Sequence, residues 1–401
     1  MQWLGLDHDE EIVYQSDRFD IYQEKAEELI QSGHAYKCYC TPDELEKMRS
    51  EQTKKGENPR YDGRCRDKDD QSGEFVIRFK ASNKEDIIIS DLVYGQITVH
   101  KDELDDFIIL RSNGTPTYHF AVVIDDNESK ITHILRGDDH LKNSAKHLQL
   151  MDAMGYKKPE FIHLPMILGP DGSRLSKRHG AMNILEYKDQ GFLPEAMLNY
   201  LVRLGWSFGD QEVFNIQEMI DAFDVKNINK SSAKFDLEKL EWLNQQHLSN
   251  SDNSELSEFL KLNTSLKELP SEKTIDSFID AYKPRVNNLN ELVGYFDSLY
   301  TEQFSVEDSA AEKFLKQEII VPFQDLLEML EQGEWNTESI NQSVKSTCEN
   351  HGIGFGKIGQ PLRVAITGGT ESPSIDLTMT LLDREIVISR IKKAIEYIAN
   401  Q

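Results

Sequence analysis

Residues 164–181, LPMILGPDGSRLSKRHGA, join an apolar run to a basic loop. Residues 164–168 predict a short buried strand, and the turn formers at residues 169–172, GPDG, predict a tight reversal after it. Three cations and a histidine follow within residues 173–180. A glycine-bounded loop with lysine and serine is suited to holding phosphates, because ammonium and hydroxyl groups donate hydrogen bonds to them. On composition alone, a solvated basic turn is the alternative.

The segment before this stretch predicts a parallel sheet. Residues 117–126, TYHFAVVIDD, predict a buried strand that ends in two acids, and residues 131–135, ITHIL, predict a second strand. An amphipathic helix follows, whose apolar stripe consists of Leu141, Ala145, Leu148, Met151 and Met154. Together with the strand at residues 164–168, this order forms a βαβ unit and therefore a parallel α/β sheet.

Ligands of open parallel sheets bind outside the carboxyl ends of the strands. We therefore expect one site at that edge, formed by Tyr118, Asp125, Asp126, Arg136, Asp138, Asp139 and the loop around Lys177. The guanidinium of Arg136 is suited to bind a carboxylate through two parallel hydrogen bonds. The alternative for Arg136 is a structural ion pair with Asp138 or Asp125.

Composition bounds the architecture. The chain has 401 residues, enough for two or three domains, and 38% hydrophobic with 29% charged residues is typical of a soluble globular protein. No apolar run approaches the roughly 20 residues of a membrane span. The net charge of −25 argues against a uniformly basic nucleic-acid-binding surface but not against a local basic groove. From about residue 251 the periodicity is helical, which predicts an all-α C-terminal domain.

The chain has four cysteines, and three of them, Cys38, Cys40 and Cys65, are clustered in the sequence. This distribution argues against a disulfide framework and for a reducing compartment. A C-x-C pair and a third cysteine on a returning loop would converge on one tetrahedral zinc ion. Three reduced cysteines without metal are the alternative, because C-x-C is less diagnostic than C-x-x-C.

The basic loop resembles the signature of a known enzyme family. Residues 174–178, RLSKR, are similar to the KMSKS motif of class I aminoacyl-tRNA synthetases, in the form seen in glutamyl-tRNA synthetases. Residues 136–140, RGDDH, resemble that family's RGEDH, and the similarity extends over residues 3–398. The resemblance implies a cytoplasmic, monomeric glutamate–tRNA ligase that uses ATP with Mg²⁺, L-glutamate and tRNA(Glu).

The same resemblance implies roles for individual residues. Lys177 would hold the ATP phosphates while the glutamate carboxylate attacks the α-phosphate, and Arg174 and Ser176 would support it. The substrate would be bound by Tyr118 and Arg136, and Asp139 would face the ATP or the glutamate ammonium.

Some bacterial members of the family bind zinc through three cysteines and a histidine. Asp67 stands at the histidine position in this chain. The implied metal ligands are therefore Cys38, Cys40, Cys65 and Asp67, a set that would bind zinc more weakly and with more dependence on pH.

The expected fold class is α/β: an incomplete Rossmann-type catalytic domain with a small α+β insert, followed by an all-α C-terminal domain. Residues 1–35 would be the remnant of the first half of the catalytic domain, and residues 36–115 the insert that contacts the tRNA acceptor end and holds any zinc. The second half with the basic loop would span residues 116–210. A stem-contact region would follow at residues 211–250, and a helical anticodon-binding domain at residues 251–401.

The family's N-terminal portion, with its HIGH-type signature, does not occur in the 401 residues. We therefore expect the sequence to be a fragment of a longer protein, because half of a Rossmann domain would expose a sheet edge and apolar surface. The absent signature supports a non-catalytic tRNA-binding or regulatory protein as the alternative function. A glutaminyl-tRNA synthetase is disfavoured, because its anticodon region consists of β-barrels.

Overall fold

The computed structural model describes residues 1–68, 72–82, 84–176 and 183–400. The chain divides into two compact units. The first consists of Met1–Gln2, Leu6–Ala181 and Leu201–Phe235, and the second of Trp3–Gly5, Met182–Tyr200 and Asp236–Gln401. Within the described residues, every strand belongs to the first unit, and no helix is long and apolar enough to cross a membrane.

The strands are β1 (Ala35–Cys38), β2 (Val76–Phe79), β3 (Ile87–Asp91), β4 (Gly95–Val99), β5 (Ile108–Leu110), β6 (His133–Gly137) and β7 (Glu160–Leu164). Across the described ranges they form an antiparallel sheet in the order β1-β2-β5 and a mixed sheet in the order β4-β3-β7-β6. In the mixed sheet β7 runs parallel to both β3 and β6. Part of the predicted insert, residues 36–115, thus belongs to the sheet that carries Arg136, while the predicted domain boundaries stay a prediction.

The helices of the first unit are α1 (Phe19–Gln31), α2 (Pro42–Lys54), α3 (Tyr118–Glu128), α4 (Leu141–Met154) and α7 (Ile216–Ala222). Those of the second unit are α5 (Ile184–Asp189), α8 (Leu237–Asn250), α9 (Asn253–Asn263), α10 (Glu272–Tyr282), α11 (Leu289–Tyr300), α12 (Asp308–Phe314), α13 (Ile320–Gln332), α14 (Thr337–His351), α15 (Phe355–Thr367), α16 (Ile375–Thr380) and α17 (Arg384–Ala399). The helix α6 (Pro194–Gly205) is divided: residues 194–200 belong to the second unit and residues 201–205 to the first. The all-α C-terminal region is therefore confirmed.

The predicted parallel βαβ unit is present as β6, α4 and β7. β6 and β7 pair from His133 opposite Glu160 to Gly137 opposite Leu164. Helix α4 buries Ala145, Leu148 and Met151 of the predicted apolar stripe. It ends at Gly155, whose φ of +67° closes the last turn in the left-handed conformation that glycine adopts without strain.

The prediction of a strand at residues 117–126 is wrong, because this segment forms the helix α3. Its buried residues, Phe120, Ala121, Val123 and Ile124, follow helical spacing. A short apolar run fits a buried strand and a buried helix equally well, so periodicity alone did not separate them.

This correction places the two predicted acids on the last turns of a helix, although the Asp126 carboxylate stays within electrostatic reach of Arg136. Asp126 lies eight residues beyond Tyr118, about 12 Å along the helix. It lines a cavity of about 520 Å³ with His133 and Glu160, the first residues of β6 and β7. Asp125 accepts hydrogen bonds from Arg18 at 3.0 Å and from Tyr22 at 2.8 Å.

The prediction of a strand at residues 164–168 is also wrong in its position. The strand β7 ends at Leu164, immediately before Pro165. Proline has no N–H to donate to a neighbouring strand, so the ladder stops there. Beyond it, Leu168 forms only isolated bridges with Arg174 and Lys234.

The second unit has one continuous apolar core, and Phe278 of α10 lies at full burial within it. Its ring stacks on Tyr282 at a centroid distance of 4.4 Å and meets Phe296 edge-on at 5.0 Å. Aromatic rings packed this way contribute both buried area and favourable ring geometry.

Replacing Phe278 with alanine should lower the free energy of unfolding by about 3–5 kcal/mol, because it leaves a cavity in a close-packed core. Urea denaturation followed by circular dichroism measures this loss. Leu262 in α9 is 77% exposed and is the matched control. Its replacement by alanine should cost less than about 0.5 kcal/mol. Equal losses in the two variants would contradict the assigned core.

Candidate functional site

Arg136 lies near the carboxyl end of β6 and is half-buried. Its Nη2 donates to Ser144 Oγ at 2.7 Å, and its Nε donates to His163 Nε2 at 3.3 Å. Among the described residues no carboxylate lies within ion-pair distance of it: Asp138 accepts from the Tyr94 hydroxyl, Asp125 pairs with Arg18, and Asp126 acts on Arg136 only through longer-range attraction. The predicted alternative, a structural ion pair, is therefore absent from the described structure. A half-buried guanidinium without an ion-paired protein carboxylate is suited to bind an anionic ligand.

Tyr118 is the first residue of α3, and its side chain is half exposed. Burial lowers the pKa of Arg136, and the nearby Tyr118 hydroxyl opposes that shift. The Tyr118 ring also lies 6.1 Å from the ring of His140, in the segment that follows β6. The structure thus brings Tyr118 and Arg136 together, although Tyr118 lies on a helix and not on the predicted strand.

The predicted tight turn before the basic loop is confirmed. Gly172 has a φ of +79°, and the Gly169 N–H donates to the Ser173 carbonyl at 2.8 Å. After the turn, Arg174 Nη2 lies 3.2 Å from Asp139 Oδ2. Ser176, the last described residue before the gap at residues 177–182, is half-buried, and Lys177 lies outside the described residues. The structure therefore joins the beginning of the basic loop to the segment that follows β6.

His119 and His147 form a pair behind Tyr118. Nδ1 of His119 lies 3.1 Å from Nε2 of His147, and Nδ1 of His147 has no hydrogen-bond partner in the described part of the chain. Burial lowers the pKa of His119 to about 4 and that of His147 to about 3. Both rings are therefore neutral at pH 7, with one nitrogen donating and the other accepting.

The three clustered cysteines meet in space. The Sγ atoms of Cys38, Cys40 and Cys65 all lie within 4.8 Å of one another, with 3.4 Å between Cys40 and Cys65. Cys38 ends β1, and Cys40 directly precedes the capping box of α2 formed by Thr41 and Glu44. Sulfurs bound to one tetrahedral zinc at about 2.3 Å lie roughly 3.8 Å apart, so this spacing fits the ion.

The fourth predicted ligand is not part of this cluster. Asp67 is exposed, and its carboxylate is not grouped with the three sulfurs. The Tyr61 hydroxyl lies instead 3.4 Å from Cys38 Sγ and 3.8 Å from Cys40 Sγ. Nothing in the sequence pointed to Tyr61, because tyrosine is a rare metal ligand and no local pattern marks it.

Two further residues beside Arg136 were missed, Ser144 and His163. His163 lies in the apolar segment of β7, and Ser144 lies on the buried side of α4. A histidine within an otherwise apolar run was the available signal for His163, since a buried polar group needs a partner.

Comparison with known proteins gives consistent similarities. The family of tRNA synthetases class I (E and Q), catalytic domain, matches residues 1–242, and an anticodon binding domain family matches residues 245–395. Glutamate–tRNA ligase 1 of Alkalilimnicola ehrlichii is 44% identical over 100% of this chain and 86% of its own length. Glutamate–tRNA ligase 1 of Nitrosococcus oceani is 42% identical over 99% of this chain and 86% of its own length.

A solved structure is also similar. The crystal structure of a glutamate tRNA ligase from Elizabethkingia meningosepticum, in complex with its amino acid, superimposes with a TM-score of 0.87. It is 32% identical and covers 99% of this chain and 88% of that chain. The sheet that carries Arg136 and the helical C-terminal region are therefore both part of a known architecture.

Acid should destabilise the protein through the buried histidine pair. An unfolded histidine takes up a proton near pH 6.5, whereas the folded pair stays neutral down to about pH 4. Between these values the unfolded state binds more protons, so the free energy of unfolding falls as the pH drops. Between pH 6.5 and pH 4, the free energy of unfolding of His147→Leu should fall by about 2–4 kcal/mol less than that of the unchanged protein. Urea denaturation at several pH values measures this difference.

His8 is the matched control, because it is exposed and no described residue forms an ion pair with it. Its replacement by leucine should leave the slope of stability against pH unchanged. An unchanged slope in the His147 variant would show that the pair does not cause the acid sensitivity.

Proposed function

Because the chain belongs to the glutamate–tRNA ligase family of class I tRNA synthetases, we propose that it joins L-glutamate to tRNA(Glu). ATP and glutamate form glutamyl-adenylate and release pyrophosphate. The terminal ribose of the tRNA then takes the glutamyl group and releases AMP. Class I synthetases use ATP with Mg²⁺, which neutralises phosphate charge.

The observation that carries this proposal is the half-buried guanidinium of Arg136, which has no ion pair with any described residue. A carboxylate of the amino acid would compensate this charge and accept the remaining N–H groups. Tyr118, half exposed beside it, would donate a hydroxyl hydrogen bond to the same substrate. Glutamate, with two carboxylates, matches this chemistry.

The basic loop would act on the ATP. Lys177 would hold the phosphate charge as it develops in the transition state, with Arg174 and Ser176 beside it. The ion pair between Arg174 and Asp139 supports this arrangement, because it links the loop to the segment that follows Arg136. Asp139 would then face the ATP or the glutamate ammonium. Such catalysis consists of positioning and electrostatic stabilisation, and it needs no general base.

The helical second unit favours tRNA(Glu) recognition by an all-α anticodon domain, and the matched anticodon binding family covers residues 245–395. The four cysteines are free, which fits a reducing compartment, and we propose the cytoplasm.

Two variants should separate the roles of Arg136 and the basic loop. Arg136→Ala should raise the KM for L-glutamate about 10–100-fold, because it removes charge-assisted hydrogen bonds to the substrate. Lys177→Ala should lower kcat by at least about 100-fold, because it removes charge stabilisation made in the transition state. Charging of tRNA(Glu) with radiolabelled glutamate, at varied glutamate and ATP concentrations, measures both parameters.

Two exposed lysines serve as controls. Lys158 lies just before β7, at the amino end of that strand, and Lys188 lies on α5. Alanine at either position should leave both parameters within twofold of those of the unchanged protein. Near-normal glutamate KM in Arg136→Ala, or near-normal kcat in Lys177→Ala, would reject the role assigned to that residue.

We also propose that Cys38, Cys40 and Cys65 bind one structural zinc ion. The spacing of their sulfurs supports this site, and its position between β1 and α2 would tie those elements to the returning loop. The fourth ligand is either the Tyr61 hydroxyl, which contacts two of the sulfurs, or Asp67, which stands at the family's histidine position.

Protein purified without chelators should contain about one zinc ion per chain, and Cys65→Ser should lose it, because a three-ligand site holds zinc less tightly. Elemental analysis by mass spectrometry measures the content. The variants Tyr61→Phe and Asp67→Asn then identify the fourth ligand, since only the true ligand's replacement should increase the rate of zinc transfer to a chromophoric chelator. A folded protein without zinc would refute the site.

A further inference from the structure

We infer that Asp91, His163 and Ser144 are positioning residues that hold the guanidinium of Arg136 in the orientation that binds glutamate; the inference rests on the function proposed above. None of these three residues was predicted from the sequence, and none would contact the substrate. Their contacts with Arg136 define a buried hydrogen-bond chain, which we call the Asp91 chain.

The Asp91 chain begins with a fully buried acid–imidazole pair. Asp91 is the last residue of β3, and His163 lies in the neighbouring strand β7. Both side chains have no exposed surface. Asp91 Oδ2 accepts from His163 Nδ1 at 2.7 Å and from the His163 backbone N–H at 3.0 Å. The carboxylate therefore fixes both the position and the ring orientation of the histidine.

The contact between Arg136 and Nε2 of His163 determines the tautomer of the imidazole. Arginine nitrogens only donate, so the 3.3 Å contact from Arg136 Nε requires an unprotonated Nε2 on the imidazole. The proton must then lie on Nδ1, where Asp91 accepts it. A neutral, Nδ1-protonated ring is the form that satisfies both neighbours. In other sites, too, a carboxylate that accepts from one ring nitrogen of a histidine sets its tautomer.

The pairing of β6 with β7 and the helix α4 complete the Asp91 chain. Arg136 and His163 are direct partners in the register of β6 and β7. Ser144, on α4, accepts from Arg136 Nη2 at 2.7 Å and lies 3.2 Å from His163 Nε2. Two of the five guanidinium N–H groups are thus held by the Asp91 chain. The other three are not bonded to it, and the Tyr118 hydroxyl lies close to the same guanidinium.

The second carboxylate oxygen of Asp91 holds the turn after β3, which in turn contacts the segment after Arg136. Oδ1 accepts from the backbone N–H groups of Val93 and Tyr94 at 2.9 and 2.8 Å, which sets the turn after β3. The Tyr94 hydroxyl then donates to Asp138 at 3.0 Å, two residues beyond Arg136. One buried carboxylate therefore orders both Arg136 and the segment that carries Asp139.

The physical benefit is preorganisation. A free arginine side chain has considerable rotamer entropy, which a ligand must overcome when it binds. A guanidinium that is already held by buried acceptors presents its remaining donors without that cost. Loss of the Asp91 chain should therefore weaken glutamate binding while the positive charge of Arg136 stays in place.

The first test is Ser144→Ala, which removes the 2.7 Å acceptor and creates almost no cavity. In tRNA(Glu) charging it should raise the KM for glutamate about 5–20-fold, while kcat and the KM for ATP stay within about threefold. Ser257→Ala is the control, because Ser257 is also buried and its hydroxyl has no hydrogen-bond partner in the described residues. It should leave every parameter unchanged.

The comparison with Arg136→Ala separates two kinds of failure. If Arg136→Ala leaves the glutamate KM unchanged, the proposed binding role of Arg136 is wrong. If Arg136→Ala raises it and Ser144→Ala does not, the Asp91 chain alone is refuted. Equal increases in the KM for ATP and for glutamate in Ser144→Ala would also refute it, since that pattern indicates general damage.

The second test needs no activity. In protein labelled with nitrogen-15 histidine, the His163 signals are identified by their loss in His163→Gln. At pH 7 they should report a protonated Nδ1 and an unprotonated Nε2. A proton on Nε2 would overturn the inference, because Arg136 Nε could then not donate to that nitrogen.

Discussion

The parallel pairing of β6 with β7 is the constraint on which the site depends. Its register sets Arg136 beside His163, and the pairing of β7 with β3 brings Asp91 to the same histidine. Each residue comes from a different strand, so their contacts exist only when all three strands are aligned. A shift of β6 by one residue would turn Arg136 to the opposite face of the sheet.

The burial of Arg136 supports its proposed role in binding an anionic ligand. Burying a charge is costly unless an opposite charge or several hydrogen bonds compensate it. The described structure compensates Arg136 in part, through neutral acceptors on Ser144 and His163 and through the longer-range attraction of Asp126. In the proposed function, a carboxylate of the substrate would complete that compensation.

Three other features complete the description of the chain: the turn at Gly172, the cysteine cluster and the core of the helical unit. The turn at Gly172 returns the chain, so that Arg174 reaches Asp139 in the segment after β6. The cysteine cluster lies apart in the sequence from that site and brings the end of β1 next to the loop that carries Cys65. The helical unit has its own core, built from long-range packing of residues such as Phe278.

The sequence by itself determined the family, through the RLSKR and RGDDH segments, and also the βαβ unit, the helical C-terminal region and the convergence of three cysteines. These features leave local signals, either a motif or a periodicity of apolar residues. Tertiary structure alone decided that residues 117–126 form a helix and that Tyr61 lies against the cysteines. It also brought together Asp91 and His163, which are 72 residues apart and form a hydrogen bond. The physical reason is that a short apolar run fits either kind of buried element, and partners distant in the sequence leave no pattern until the strands pair.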